Sequence, residues 1–503
     1  MAGVGFTLKK LFHRRGIFAA LQAYGYAGAL CAGPLLLGIL LQVGILLLCG
    51  RADMARTEQE LLVCMVTYTL LGSLLVTSFG AMPLTRFWAD MLYQNQTQAI
   101  LPAFWGANAL LLPVGSALYG LFLLAAGASF VQGTLCLWLF AEMLVNWNAI
   151  SCLTSIKDYD VILHAFLAAL CGAWLTGAVL VLWIDVPALE GFLLAIVTGY
   201  GLMLVYCIGA LHGRFPQREE NCWDFLRWLD RFRPLAWTGL LTNCGLFAHL
   251  VLLWHSPVGV QVKGLFFSAP YYDVPAMLAF LSILITTVNF VVSVEVNFYP
   301  AYRDYCSLFN EGGTIGEIAA AEKQLLVVLN RELWYTALKQ LFCTAAVISL
   351  ENAVLAVLPL GFNDMMHGYF RTLCVGYGLY AVGNTILLTL LYLTDVHGAA
   401  GVSALFATAS TGCTALLIPS DPAYYGFGFL LGAAVFCLAA ALRLNAFTAE
   451  LPYHILGSQP LMQEERRGIF TRLALWLERR NAKDAGAQRD RTKKSRRGQH
   501  AKH

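Results

Sequence analysis

Apolar residues in this chain gather in long runs, at about 18–49, 61–84, 100–127, 132–154, 161–184, 191–211, 235–255, 275–299, 335–358, 371–393, 399–418 and 424–445. A helix rises ~1.5 Å per residue and a hydrocarbon core is ~30 Å thick, so runs of about 20 residues cross a bilayer. The pattern predicts an all-α integral membrane protein of about twelve transmembrane helices. An even number of spans returns both termini to one side. The polar stretch 212–234 splits the spans into two sets of six. The expected organisation is an N-terminal lobe at 1–211, a cytoplasmic amphipathic linker at 212–234, a C-terminal lobe at 235–445 and a basic, largely disordered cytoplasmic tail at 446–503.

Several spans carry polar groups, and their spacing predicts faces. In span four, Glu142 and Asn146 lie one turn apart and share a face that should look into protein or water rather than lipid. In span eight, Thr286, Asn289, Ser293 and Asn297 follow three- and four-residue steps and form a polar stripe, with Glu295 pointing away from it. An acid inside a span is a candidate functional group. For Glu295 the residues leave three readings open: a place in a transport path, a structural pair with a neighbouring helix, or contact with headgroup water. Span one holds Gly25, Gly28, Gly33, Pro34 and Gly38, and Gly33 with Pro34 is a candidate hinge, because proline removes a backbone hydrogen bond.

Between spans, Thr314 and Glu317 match a capping box. A helix should begin there and present Ile318, Leu325, Leu329 and Leu333 to a partner surface. Within the linker, Asn221 can cap a short helix with Cys222, Phe225, Leu229 and Phe232 on one side and Asp224, Arg227, Asp230 and Arg231 on the other. That helix is expected on the inner membrane surface, with Trp223 and Trp228 at headgroup depth. Residues 468–480 can form an amphipathic helix with Ile469, Phe470, Leu473 and Leu477 on one side.

Composition agrees with this reading. Hydrophobic residues make up 58% of the chain and charged ones 13%, against the ~25% charge of soluble domains. Of 33 Lys and Arg, 13 fall after residue 445. Before the tail, fourteen basic residues lie in loops on the terminal side, among them Lys9, Lys10, Arg14, Arg15, Arg214 and Arg231. The opposite loops offer Arg51, Arg56, Lys263 and Arg371. The positive-inside rule therefore places both termini in the cytoplasm. The basic end of the tail, beside a membrane, suits anionic lipid rather than nucleic acid, and a purely topological role is equally open. The 14 cysteines are scattered without metal-ligand spacing, and His164, His249 and His255 are tied to no Cys or carboxylate. No metal, cofactor or catalytic set is expected, and the chain reads as no enzyme.

Separate stretches carry a resemblance. The opening MAGVGFTLKKLF, then LQAYGYAGALCAGP, TRFWADMLYQNQTQAILPAFWG, SIKDYD, VEVNFYPAYRDYC followed by GGTIGEI, and LPYHILGSQP are collinear over residues 1 to about 460. Together they resemble the PelG family of Pel exopolysaccharide transporters, in the multidrug/oligosaccharidyl-lipid/polysaccharide (MOP) flippase superfamily. The resemblance implies two six-helix lobes of MATE/MOP type around a central cavity, in a bacterial inner membrane. It also implies export of an amino-sugar-rich polymer made by a cytoplasmic glycosyltransferase, within a complex whose other membrane subunits include one responsive to cyclic-di-GMP. The basic tail lies outside the pattern.

Sugars present hydroxyls and flat apolar faces, so a path lined with Tyr, Asn and a few carboxylates passes them without stranding a polar group. Candidate path residues are Tyr24, Tyr26, Glu142, Asn146, Asn289 and Glu295. Alternatives at this point are a flippase for another lipid-linked saccharide or drug, a membrane-embedded transferase using a residue such as His249, and a scaffold for polysaccharide synthesis.

Overall fold

The computed structural model describes residues 17–184, 186–216, 221–357, 362–457 and 468–480. The first half contains α1 (Ile17–Arg51), α2 (Arg56–Tyr93), α3 (Ile100–Ala125), α4 (Phe130–Ser155), α5 (Tyr159–Gly177) and α6 (Ala188–Arg214). A short α7 (Phe225–Arg231) leads into α8 (Arg233–Trp254) and an antiparallel hairpin of β1 (Val260–Lys263) and β2 (Phe266–Ser268). There follow α9 (Pro270–Phe280), α10 (Leu284–Ser293), α11 (Tyr299–Glu311), α12 (Ile315–Ser349), α13 (Glu351–Val357), α14 (Asp364–Tyr392), α15 (Val396–Leu417), α16 (Gly426–Ala449) and α17 (Leu451–Gly457). A last helix, α18, covers 469–480.

Ten helical segments among the described residues are long and apolar enough to cross a membrane. The remaining expected spans, one and nine, fall on α1, whose sequence is apolar over most of its length, and on α12. The chain is thus a multi-pass membrane protein, and these helices are consistent with the expected twelve.

Packing reveals an internal repeat. In the first half α1 packs on α5, α2 on α4, α3 on α4, and α4 and α5 on α6; in the second α8 packs on α15, α9 on α14, α12 on α14, and α14 and α15 on α16. Each contact has its counterpart when α1–α6 are matched to α8, α9 with α10, α12, α14, α15 and α16. The two buried clusters follow the same division. One runs from Leu41 to Ala236 with Phe266 and Ala474 added, the other from Leu246 to Leu451. The halves meet where α2 lies on α8 and, by the same symmetry, where α1 lies on α10.

A turn recurs with the repeat. Lys157 (φ 59°) and Thr394 (φ 69°) each occupy the left-handed region between two helices. Each is followed by an aspartate, Asp158 or Asp395, at a helix N-cap. The amides of Asp158 and Asp395 donate to Leu153 O at 3.0 Å and Leu390 O at 2.9 Å. Each carboxylate is buried and grips an arginine of the next helix but one along the lobe: Asp158 pairs with Arg214 and Asp395 with Arg443, the latter through two bonds of 2.6 and 3.0 Å. Asp158, which its place at the mouth of a span marks as a solvated acid, is half of a clamp.

Two segments depart from the sequence reading. Span eight, expected as one helix, is α9, a 3-10 turn (Leu281–Ile283), α10, a π turn (Val294–Phe298) and α11. The π turn inserts one residue into the helical repeat, so the polar stripe ends at Ser293 and Asn297 leaves its line. Span nine is the upper part of α12, which is 35 residues long and starts at the predicted capping box of Thr314 and Glu317. The apolar stripe of its lower part packs on its own lobe, with Leu325 and Leu329 buried and Ile318 and Leu333 against them.

Candidate transport path

The predicted stripe of α10 faces α12, and its partners include charged groups. Thr286 donates to Gln340 Oε1, Asn289 Nδ2 donates to Thr336 Oγ1 at 2.7 Å, and Ser293 Oγ donates to Glu332 Oε2 at 2.8 Å. Lys339 Nζ donates to Asn289 Oδ1, and Gln340 continues the ladder to Thr344 Oγ1 at 3.1 Å. Asn289 is 5% exposed, whereas Lys339 beside it is exposed. An ammonium held at membrane depth faces protein or a water-filled space, because lipid solvates it poorly. The Ser293 end of the ladder opens on a cavity of about 20 Å³ lined by Ser293, Glu332, Thr336, Thr385 and Thr389. That holds one water and no sugar ring.

The N-terminal lobe has no such ladder among the described residues. Glu142 and Asn146 do share a face of α4, and both look at α6. A Cβ added at Gly201 would fall 3.1 Å from Glu142 Oε1, and Asn146 Nδ2 donates to Tyr200 O at 3.1 Å. Glu142 Oε2 and Asn146 Oδ1 are buried without a hydrogen-bond partner among the described residues. Close by on the same helix, Asn148 Nδ2 donates to Asn108 Oδ1 at 2.8 Å.

The side chains of Tyr24, Tyr26, Pro34 and Glu295 lie outside the described residues. α1 is continuous through the Gly33–Pro34 step, and a Cβ added at Gly33 would fall 2.6 Å from Leu163 Cδ1 of α5. Of the sequence-predicted path residues, the structure therefore puts Asn289 in the ladder and Glu142 with Asn146 in a separate site in the other lobe. Glu332, Lys339 and Gln340 are absent from the sequence-predicted set. A cation and an amide at successive positions of an otherwise apolar run are the available signal.

His249 is fully buried, with Nδ1 2.8 Å from the Tyr272 hydroxyl and Nε2 3.4 Å from that of Tyr377. Both ring nitrogens are thus engaged within the core. Among the described residues no group of three or more His, Cys, Asp or Glu comes together.

Solved structures of transporters share this fold. A multidrug resistance MATE family transporter of the MOP superfamily in an outward-facing conformation matches at a TM-score of 0.56 with 13% identity, covering 85% of this chain and 96% of that chain. A point mutant of the Vibrio cholerae MATE transporter VcmN matches at 0.57 with 12% identity, over 84% of this chain and 98% of that one. A MOP superfamily transporter from Pyrococcus furiosus, whose binding pocket is described as of reverse polarity, matches at 0.55 with 13% identity over 85% and 96%. The fold is that of a MOP transporter.

The chain belongs to the PelG family, described as "Putative exopolysaccharide Exporter (EPS-E)", whose sequence model matches residues 1–456. A comparison with curated proteins gives no match.

Proposed function

We propose that this protein carries a Pel-type, amino-sugar-rich exopolysaccharide across the bacterial inner membrane. The observation that carries the reading is the family match over residues 1–456. The MOP fold supports a transporter, and the α10–α12 ladder offers hydrogen-bond partners of both signs where a polyhydroxylated chain would need them. Asn289 and Lys339 line the path from the C-terminal lobe, Glu142 and Asn146 act from the other, and Tyr24, Tyr26 and Glu295 are further candidates from the sequence. Weak, repeated contacts favour sliding over trapping, since passage requires exit as well as entry.

Both termini lie in the cytoplasm, where the polymer arrives from a glycosyltransferase and where other membrane subunits, one of them responsive to cyclic-di-GMP, assemble with this chain. The lobes rock in alternating access, with Gly33 and Pro34 as the hinge of α1. MATE structures of the same fold are known in bent and straight conformations, which supports assigning such a change here.

The test is secreted against retained polymer in a strain lacking this chain and keeping the glycosyltransferase. Polymer retained in the cell, or its synthesis blocked, with secretion restored by the intact gene, is the expected result. Unchanged secretion would overturn the reading.

A further inference from the structure

α18 is held by an unusual anchor. Asp230 of α7, 3% exposed, accepts from Thr471 N at 2.6 Å and from Thr471 Oγ1 at 2.8 Å, while Arg233 Nε donates to its other oxygen at 3.1 Å. Gly468 passes so close that an added Cβ would collide with Asp230 Oδ1. Farther along, Glu478 accepts from Asn221 at 2.6 Å and from Arg227 at 3.2 Å. These bonds fix which way the helix turns. Phe470, Ala474 and Leu477 face the lobe.

The other face is apolar and exposed: Ile469 is 75% and Trp476 56% exposed, with Leu473 between them. Residues 469, 473 and 476 follow helical spacing and form one stripe. Arg472, Arg479 and Arg480 flank it, all exposed, with the Arg480 guanidinium 5.7 Å from the Trp476 ring. The depth of this stripe is set by its neighbours. Phe470 packs on Phe79 of α2, and Phe79 packs edge-on against Trp237 in the first turns of membrane-crossing α8. α18 therefore lies where α8 enters the bilayer.

We propose that the Ile469–Leu473–Trp476 face of α18 binds the anionic phospholipid surface of the leaflet at this end of the molecule. An apolar stripe bordered by arginines is what an interfacial helix presents to lipid. Charge complementarity continues beyond the helix, because residues 481–503 contain eight Lys and Arg against two Asp. Lipid contact and the Asp230 anchor then hold the tail of the C-terminal half against the linker and the N-terminal lobe.

Full-length protein in lipid nanodiscs of phosphatidylcholine, with and without phosphatidylglycerol, tests this by hydrogen exchange at the amides of 472–480. Phosphatidylglycerol should slow exchange by at least about tenfold, and high salt or the R472Q/R479Q/R480Q variant should remove the slowing. Equal rates in the two discs would overturn the proposal. A photoreactive side chain at position 473, in native membranes, should form adducts with phospholipid. Adducts chiefly with another protein or a second copy of this chain would overturn it as well.

Discussion

The two lobes share a packing plan and differ in their interiors. α2 runs unbroken from Arg56 to Tyr93 even through Pro83, while its counterpart is cut by a 3-10 turn and a π turn into α9, α10 and α11. α3 has no charged residue between Ile100 and Ala125, while its counterpart α12 carries Arg331, Glu332 and Lys339 opposite the broken helix. Shared contacts are what the fold requires of both halves. The cut in the counterpart of α2 and the charges on the counterpart of α3 have no equivalent at those positions in the N-terminal lobe, whose own π turn lies at Ala178–Trp183 and whose in-span acid is Glu142, and it is at those positions that the proposed path runs.

Each lobe has a stacked aromatic pair in its interior, though the two pairs join different helices. Phe140 of α4 stacks on Tyr119 of α3 at 4.3 Å in one lobe, and Phe406 of α15 stacks on Phe436 of α16 at 4.4 Å in the other. Phe140→Ala and Phe406→Ala should each lower stability by about 3 kcal/mol through the cavity they leave, measured by denaturant unfolding in detergent. A negligible loss in either variant would show that its lobe is not held by that interior contact.

The aspartate clamps come next. Asp395→Ala should cost about 2 kcal/mol, because it removes a charged hydrogen bond to Arg443 and a cap on α15. Asp158→Ala should act in the same direction and more weakly, its arginine being 46% exposed. Thermal unfolding of the two variants would order them.

A smaller effect belongs to the α18 anchor. Burial pushes the Asp230 carboxyl up, but donation from Arg233 and from Thr471 outweighs it and holds the group below its ordinary 3.8. Its contribution is fully present above that value and is lost as pH falls through the lower folded one. Between neutral pH and about 5 the docking of α18 should not change, whereas Asp230→Asn should loosen it by about 1 kcal/mol at every pH in that range. Hydrogen exchange at Thr471 and Arg472 would report both.

Much of this architecture is legible in the sequence, and the failures have physical causes. Spans follow from run length, and the Thr314–Glu317 cap from local spacing alone. The Thr286–Asn289–Ser293 stripe also appears, because helical periodicity is local. Its partners do not, because Glu332 and Lys339 meet it only through the packing of α12. The 3-10 break at Leu281–Ile283 has no proline of its own, whereas Pro300, just past the π turn, withholds a hydrogen bond from that turn and is the available signal for the second break. For α18 the amphipathic pattern is visible, but it groups Ile469 and Leu473 with the half-buried Phe470 and Leu477. The anchor that sets the rotation is Asp230, far away in sequence and on what reads there as a solvated face. Trp223 and Trp228 likewise read as headgroup residues, yet Trp228 donates to Asp90 Oδ2 at 2.9 Å and packs on Phe87 within the lobe.

The claim that the C-terminal ladder lines the export path is tested most directly by polymer secretion from cells in which Lys339→Met replaces the wild-type protein at equal membrane level. Secretion should fall by about tenfold, equivalent to ~1.4 kcal/mol on the limiting barrier, with polymer retained inside and Lys339→Arg retaining more activity. Undiminished secretion by Lys339→Met would show that the ladder only holds α10 to α12, and would contradict the account.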